Sequence, residues 1–257
     1  MSTATTHTPR RTAFVTGGTA GLGAAIAIAL AAKGYDVAIS ERPQLVDGLA
    51  ATLAAIEKAG GRALAVPLEL TSIDSIEAAA ATVFDFFGHI DVLVNSAAAP
   101  LHKAALELTP DEWDSIMQPN LKGTFFLTQK VGQGMVKRGT PGTIISMAST
   151  HGMVALANRS TYGIAKAGII HMTRMLAIEW AQHHITLNAI APGTIETPSR
   201  AVTLKDPKFR DMMLGRVPLG RFGTMDEIAG AAVYLASAKA RFMTGQTLVL
   251  DGGLTSY

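Results

Sequence analysis

Short apolar runs alternate with longer Ala-rich stretches along nearly the whole chain. TAFVTGG precedes a helical stretch over 21–33, YDVAIS one over 45–59, ALAVPLEL one over 72–87 and DVLVNSA one over 110–137. TIISMAS leads into a helix over 160–182, and ITLNAIAP into a segment richer in Pro and charge. The helical DEIAGAAVYLAS is followed by a last strand in QTLVLDGG. The strand runs are continuously apolar, as required where helices cover both faces of a sheet. Buried strands alternating with helices predict an α/β fold built on a doubly wound, largely parallel sheet. No Pro/Ser/Gly-rich linker divides the chain, so one domain is expected over 11–257, behind a disordered tail at 1–10. The segment 194–216, TIETPSRAVTLKDPKFRDMMLGR, breaks the rhythm, being too polar and Pro-interrupted for a strand. It follows a strand end, where such sheets bind ligands, and is predicted to be a small substrate lid.

Composition narrows the function classes. A chain of 257 residues can bury a sizeable core. The net charge of +2 is spread along the chain, with no basic run longer than Arg10–Arg11. This argues against a nucleic-acid surface and for a small-molecule partner. The absence of cysteine excludes disulfides, thiol catalysis and zinc–thiolate sites, and permits the cytoplasm. The N-terminal MSTATTHTPRR reads as a tail and not as a signal peptide. The apolar run Ala24–Ala32 is too short to span a bilayer, so no membrane anchor is expected. No His/Asp/Glu cluster has metal-ligand spacing, so no metal is expected.

Two local patterns carry chemistry. In STYGIAKAG, residues 160–168, Tyr162 and Lys166 are four apart and project from one helix face. An ammonium so placed is expected to stabilise phenolate and lower the tyrosine pKa, which suits acid–base work. In TGGTAGLG, residues 16–23, Gly17, Gly21 and Gly23 follow the first strand and open the first helix. They permit a tight turn and close approach of backbone to a diphosphate, whose charge the helix N-terminus favours. About twenty residues on, the second strand ends in Ser40, Glu41 and Arg42. An acidic side chain there accepts the ribose hydroxyls of NAD, whereas an arginine favours the extra phosphate of NADP.

With these motifs and the βα rhythm, the sequence resembles the short-chain dehydrogenase/reductase family over nearly its whole length, especially its 3-oxoacyl reductase and sugar-acid or polyol dehydrogenase-like members. NSAA at 95–98, Asn120 in QPNLKG, Ser149 thirteen residues before Tyr162, PGTIET at 192–197 and TGQTLVLDGG at 244–253 extend the likeness. The resemblance implies a Rossmann fold, usually as a homotetramer. It also implies an NAD(P)-dependent oxidoreductase interconverting a secondary alcohol and a ketone by hydride transfer, with Tyr162 as general acid or base. By the same resemblance Lys166 tunes the tyrosine and holds the nicotinamide ribose, Ser149 binds the substrate oxygen, and Asn120 supports a proton relay. Hydride transfer to a carbonyl builds negative charge on oxygen, which two donors and a proton source stabilise. Carried over as cofactor-binding are Gly17, Thr19, Ala20, Gly21, Leu22 and Gly23, Glu41 and Arg42, Glu69 and Leu70, Asn95 and Ala97. Tyr162 and Lys166, Pro192 and Gly193, and Ile195 and Thr197 complete the cofactor set. Glu69 stands where the family carries aspartate, and Ala98 where it carries glycine.

NAD is the preferred cofactor on this reading, because Glu41 would repel a 2′-phosphate and Arg42 can stack on adenine, with NADP the alternative. Implied substrates include 3-oxoacyl thioesters, sugar acids or polyols, and steroids or other ketones. His151 near Ser149 suggests a serine hydrolase, but MASTHGM lacks the sharp elbow and buried carboxylate of such enzymes, and His151 reads as a pocket-rim residue. A non-catalytic, dinucleotide-sensing regulator is the rival reading. It has no need of the full set of Asn120, Ser149, Tyr162 and Lys166.

Overall fold

Phe14 and its neighbours Ala13 and Val15 show why the first strand has no polar face. In the computed structural model, which describes residues 10–42, 44, 47–201 and 205–256, all three are fully buried. Phe14 faces one core and Ala13 and Val15 face another on the opposite side of the sheet. Val37 and Ile39 against Ala38, and Val92 and Val94 against Leu93, divide the same way. A side-chain period of two between two helical layers therefore produces the unbroken apolar runs.

The strands are β1 (Arg11–Thr16), β2 (Tyr35–Glu41), β3 (Ala63–Pro67), β4 (Val92–Asn95), β5 (Gly142–Met147), β6 (Ile185–Pro192) and β7 (Thr247–Leu250). Among the described residues they form one seven-stranded sheet of order β3-β2-β1-β4-β5-β6-β7, and every adjacent pair is parallel. Helices α1 (Gly21–Ala32), α2 (Leu49–Lys58) and α9 (Met225–Ala236) supply one core, and α3 (Ile73–Phe87), α5 (Thr124–Arg138) and α6 (Ser160–Trp180) the other. The order reverses between β1 and β4, so the carboxyl ends of those two strands open a crevice at the switch point. The doubly wound α/β expectation holds in this sheet.

Several boundaries differ from the sequence reading: the helix expected over 45–59 begins at Leu49, the strand in DVLVNSA ends at Asn95, the helix expected over 160–182 ends at Trp180, and three further differences have clear causes. The strand expected through Leu70 ends at Pro67, because its partner β2 ends opposite it at Glu41 and offers nothing further to pair with. The last strand stops at Leu250, where the Asp251 carboxylate accepts the Gly253 and Thr255 amides and turns the chain. The helix expected over 110–137 is three pieces: α4 (Pro110–Met117), a π-helical turn over Gln118–Gly123, and α5. Pro119 has no amide hydrogen to give the α ladder, and the wider turn accommodates it. At the end of that turn a Cβ on Gly123 would sit 2.0 Å from the Leu70 carbonyl oxygen, so only glycine lets the turn meet the loop after β3.

Beyond β6, Ile195 makes a single parallel bridge to Gly223, and two short helices follow, α7 (Pro198–Ala201) and α8 (Pro207–Leu214). Among its described residues the expected lid thus contains no strand of the sheet; residues 202–204 lie outside the described residues, as do residues 1–9 of the expected tail.

Candidate active site

The crevice at the switch point is a cavity of about 580 Å³, within the usual size range of small-molecule sites. Its floor is the turn between β1 and α1. Gly17 has φ +66°, and a Cβ there would meet the Ala97 Cα at 2.9 Å. A Cβ on Gly23 would lie 2.0 Å from the Gly17 carbonyl oxygen. Gly21 has φ +56° with open space above it. Ala20 at the head of α1 offers no side-chain cap, in contrast to Ser72, Thr109 and Thr224 at the heads of α3, α4 and α9. The first amides of α1 are therefore left for an anion, which the helix dipole favours. The Thr16 hydroxyl accepts the Ser96 and Ala97 amides and fixes the opposite bank. A cradle that tolerates no Cβ beneath an uncapped helix terminus fits a dinucleotide diphosphate.

At one end of the cavity the Glu41 carboxylate is held by the Thr19 hydroxyl (2.9 Å) and the Arg42 amide (3.0 Å). Glu69 lines the wall and accepts the Thr71 amide at 3.1 Å. At the other end stand Ser149, Tyr162 and Lys166, with Pro192, Gly193, Ile195 and Thr197 from the end of β6 and the start of the lid. Of the sequence-predicted residues, Gly17, Ala20, Leu22, Arg42, Leu70 and Ala97 line it as well. Thr19, Asn95 and Asn120 do not. Thr19 orients Glu41 from behind. Asn95 is buried, its amide donating to Thr128 (2.9 Å) and Ser146 (3.2 Å), and so ties β4 to α5 and β5. Asn120 in the π turn clasps Ala99 twice, accepting its amide at 2.7 Å and donating to its carbonyl at 2.8 Å. These three act on the site through the loops they hold.

The electrostatics depart from the sequence expectation. The Lys166 ammonium is buried and donates to the Met147 carbonyl at 2.6 Å, and burial pulls its pKa down to about 8. Burial pushes the Tyr162 phenol above its ordinary value, outweighing the positive charge of Arg200, the neighbouring Ser149 hydroxyl and the charge of Arg159, all of which favour phenolate. The phenol is thus raised, not lowered, and the opposing cations are arginines. Arg159 was not singled out in the sequence, although its i, i+3 spacing to Tyr162 places it on the same face. Its guanidinium is 5.9 Å from the phenol ring centre. His151 lies edge-on to that ring at 6.1 Å, and its backbone amide, not its imidazole, donates to the Ser149 hydroxyl. Burial first, then Arg159 and Arg200, pull the His151 pKa to about 4. A neutral imidazole that forms no hydrogen bond to Ser149 gives no hydrolase pair. Among the described residues no cluster of His, Asp and Glu could hold a metal, and no helix is long and apolar enough to cross a membrane.

A glycine cradle for a dinucleotide and a buried Tyr–Lys pair in one cavity invite comparison with known proteins. The family model described as "Enoyl-(Acyl carrier protein) reductase" matches residues 17–255. The chain is 35% identical over 247 residues to 3beta-hydroxysteroid dehydrogenase 1 of Eggerthella lenta, covering 96% of this chain and 94% of that one. The chain belongs to the short-chain dehydrogenase/reductase family. The 3-oxoacyl-[acyl-carrier protein] reductase of Brucella melitensis, solved with NAD, superposes with a TM-score of 0.90 at 33% identity, covering 98% of this chain and 99% of that one. A variant actinorhodin polyketide ketoreductase solved with NADPH gives a TM-score of 0.90 at 35% identity, covering 96% and 98%. This short-chain dehydrogenase/reductase is an NAD(P)-dependent oxidoreductase acting on alcohol and ketone groups. Relatives differing this widely in substrate and cofactor leave both to be argued from the site.

Proposed function

We propose that this enzyme interconverts a secondary alcohol and a ketone with Tyr162 as the proton donor in reduction and acceptor in oxidation, and with NAD(H) preferred over NADP(H). The observation that carries the reading is the convergence of Ser149, Tyr162 and Lys166 on one wall of the cavity whose floor is the glycine turn. When bound, the dinucleotide supplies or accepts the hydride. The Ser149 hydroxyl and the phenol hold the substrate oxygen and stabilise the charge that develops there. Lys166, fixed by the Met147 carbonyl, would hold the ribose of the dinucleotide with its ammonium, and that charge would favour loss of the phenolic proton during oxidation. Asn120 positions the loop at Ala99 that flanks the cavity. Pro192, Gly193, Ile195 and Thr197, which line the cavity, would hold the nicotinamide end of the dinucleotide, and 194–216 serves as the substrate lid.

The cofactor preference follows from Glu41. Two donors hold its carboxylate at the end of β2, ready to accept ribose hydroxyls and facing any 2′-phosphate with a fixed negative charge. With a panel of ketones, wild type is expected to give the higher kcat/KM with NADH, and Glu41→Ser to move toward NADPH by about tenfold or more, some 1.4 kcal/mol. Wild-type preference for NADPH would assign the choice to Arg42. No turnover of any ketone with either cofactor would remove the enzymatic reading.

The protein works in the cytoplasm on a small carbonyl or alcohol compound, with neither nucleic acid nor membrane as partner, and as a homotetramer. Ile164, Met175 and Ile178 on α6 are 47%, 50% and 80% exposed, giving that helix an apolar outer face suited to a second copy. Light scattering at micromolar concentration is expected to give four times the monomer mass, and a monomer would contradict this assembly.

A further inference from the structure

Three loops meet at the substrate end of the cavity, and two of them bring a guanidinium that, among the described residues, has no matching carboxylate. The loop after β4 carries His102, the loop after β5 carries His151 and Arg159, and α7 beyond β6 carries Arg200. The Lys103 amide donates to the Asn158 carbonyl at 3.0 Å, so the first two loops are stitched together beside Arg159. Arg200 lines the cavity, and the Arg159 guanidinium lies 5.9 Å from the centre of the Tyr162 ring. Among the described residues neither arginine forms an ion pair. The nearby Glu112 is occupied by Lys103 at 2.6 Å. The Nε donor of Arg159 is buried with no partner.

A buried, unpaired guanidinium donor costs stability unless something bound pairs with it. Two like charges facing one phenol also repel each other, and after burial, which is the larger cause, both add to the lowering of the His102 and His151 pKa values. An oxyanion placed between the guanidiniums relieves both costs at once, and the planar guanidinium fork matches carboxylate and phosphate oxygens in pairs.

We propose that the substrate carries a compact anionic group, a carboxylate or a phosphate, which Arg159 and Arg200 bind while its hydroxyl or carbonyl lies at Tyr162 and Ser149. The placing of the hydroxyl or carbonyl rests on the alcohol–ketone reading, and that of the anionic group on the two arginines. Because Arg159 approaches the ring of the phenol that handles the proton, the anionic group and the reacting carbon are separated by a short carbon chain. The substrate class is therefore a small hydroxy or keto acid, or a small phosphorylated alcohol or ketone. His102 and His151 stay neutral at pH 7 and add donors, not charge.

The test uses alcohols, acids and amides on the NADH-loaded enzyme, where an alcohol finds no hydride acceptor, so that it does not depend on turnover. Malonate and its neutral counterpart malonamide, and glycerol 3-phosphate and glycerol, are titrated by calorimetry against wild type, Arg159→Gln, Arg200→Gln and the distant control Lys33→Gln. Wild type is expected to bind an anion at least tenfold more tightly than its neutral counterpart. Each arginine variant should remove that preference and the control should keep it. Malonate binding the tighter of the two anions marks a carboxylate substrate, and glycerol 3-phosphate a phosphorylated one. Equal binding of anion and neutral probe by wild type, or a preference surviving in both arginine variants, overturns the proposal. A uniform loss of turnover in Arg159→Gln with the anion preference intact also overturns it, reducing Arg159 to a support for Tyr162. Failure of the underlying alcohol–ketone reading shows separately, as anion binding without turnover of any hydroxy acid or phosphorylated alcohol.

Discussion

Tyr162→Phe is expected to lower kcat by about 10²- to 10⁴-fold, the range for loss of a general acid, and to leave dinucleotide binding almost unmoved. The variant removes one oxygen. The ring keeps its neighbours, with His151 edge-on at 6.1 Å, Arg159 at 5.9 Å and Lys166 Nζ at 5.7 Å from its centre. Nothing that shapes the glycine cradle changes. The pH dependence has a definite sign. Burial holds the phenol above its ordinary pKa, so at neutral pH it is protonated and serves ketone reduction directly. Alcohol oxidation needs phenolate and is expected to accelerate as pH rises, while reduction falls only at alkaline pH. Stopped-flow reduction of one ketone, with cofactor affinity from fluorescence titration, checks both halves. A variant keeping more than about a tenth of the wild-type rate would mean that another group moves the proton.

Lys166→Met is expected to cut turnover by about a hundredfold or more, as loss of a preorganised charge at the reacting groups does, without reducing the stability of the cofactor-free protein at pH 7. The ammonium is buried, and its folded-state pKa of about 8 lies below the 10.5 of a free lysine. A lowered lysine pKa is a penalty on folding, in full below about pH 8, where both states are charged. It is relieved as pH rises from about 8 to about 10.5, because the unfolded chain then holds the proton that the folded one has released. At 1.36 kcal/mol per unit the penalty is about 3 kcal/mol. The bond from Lys166 to the Met147 carbonyl, worth about 1 to 3 kcal/mol once its loss strands a buried acceptor, works in the other direction. Urea unfolding at pH 7 to 10 should show wild-type stability rising through that window relative to the variant. A variant clearly less stable at pH 7 with the same pH slope as wild type would contradict a strained lysine. The stability held in reserve by removing Lys166 is the cost of keeping a charge where the chemistry uses it.

The sheet was legible because β1, β2 and β4 divide their side chains between two cores, leaving runs with no polar position. The π turn at Pro119 was not, since the helical periodicity of 110–137 passes straight through it and only the missing amide hydrogen marks the break. Spacing placed Tyr162 and Lys166 on one face but could not say that the ammonium would settle on the Met147 carbonyl, which depends on β5 passing beneath α6. The family resemblance carried over Thr19 and Asn95 as cofactor-binding and Asn120 as part of a proton relay, but their bonds to neighbouring loops could not be read from the sequence. In the fold they are bonded to Glu41, to Thr128 and Ser146, and to Ala99. Arg159 and Arg200, forty-one residues apart in sequence, meet only through the loops after β5 and β6. The segment 194–216 carries Arg200, Lys205, Lys208, Arg210 and Arg216, but the partner charge on Arg159 lies elsewhere in the sequence.

The central claim is that Tyr162 and its neighbours drive hydride exchange with a ketone and do not merely sense a dinucleotide. NADH bearing deuterium at the transferable position, offered with a panel of ketones that includes small keto acids, tests it directly. The account predicts deuterium on the carbinol carbon of a product alcohol with wild type, and full cofactor binding with severely diminished label transfer with Tyr162→Phe. Saturation of wild type with labelled cofactor, without deuterium appearing in any alcohol, would contradict it.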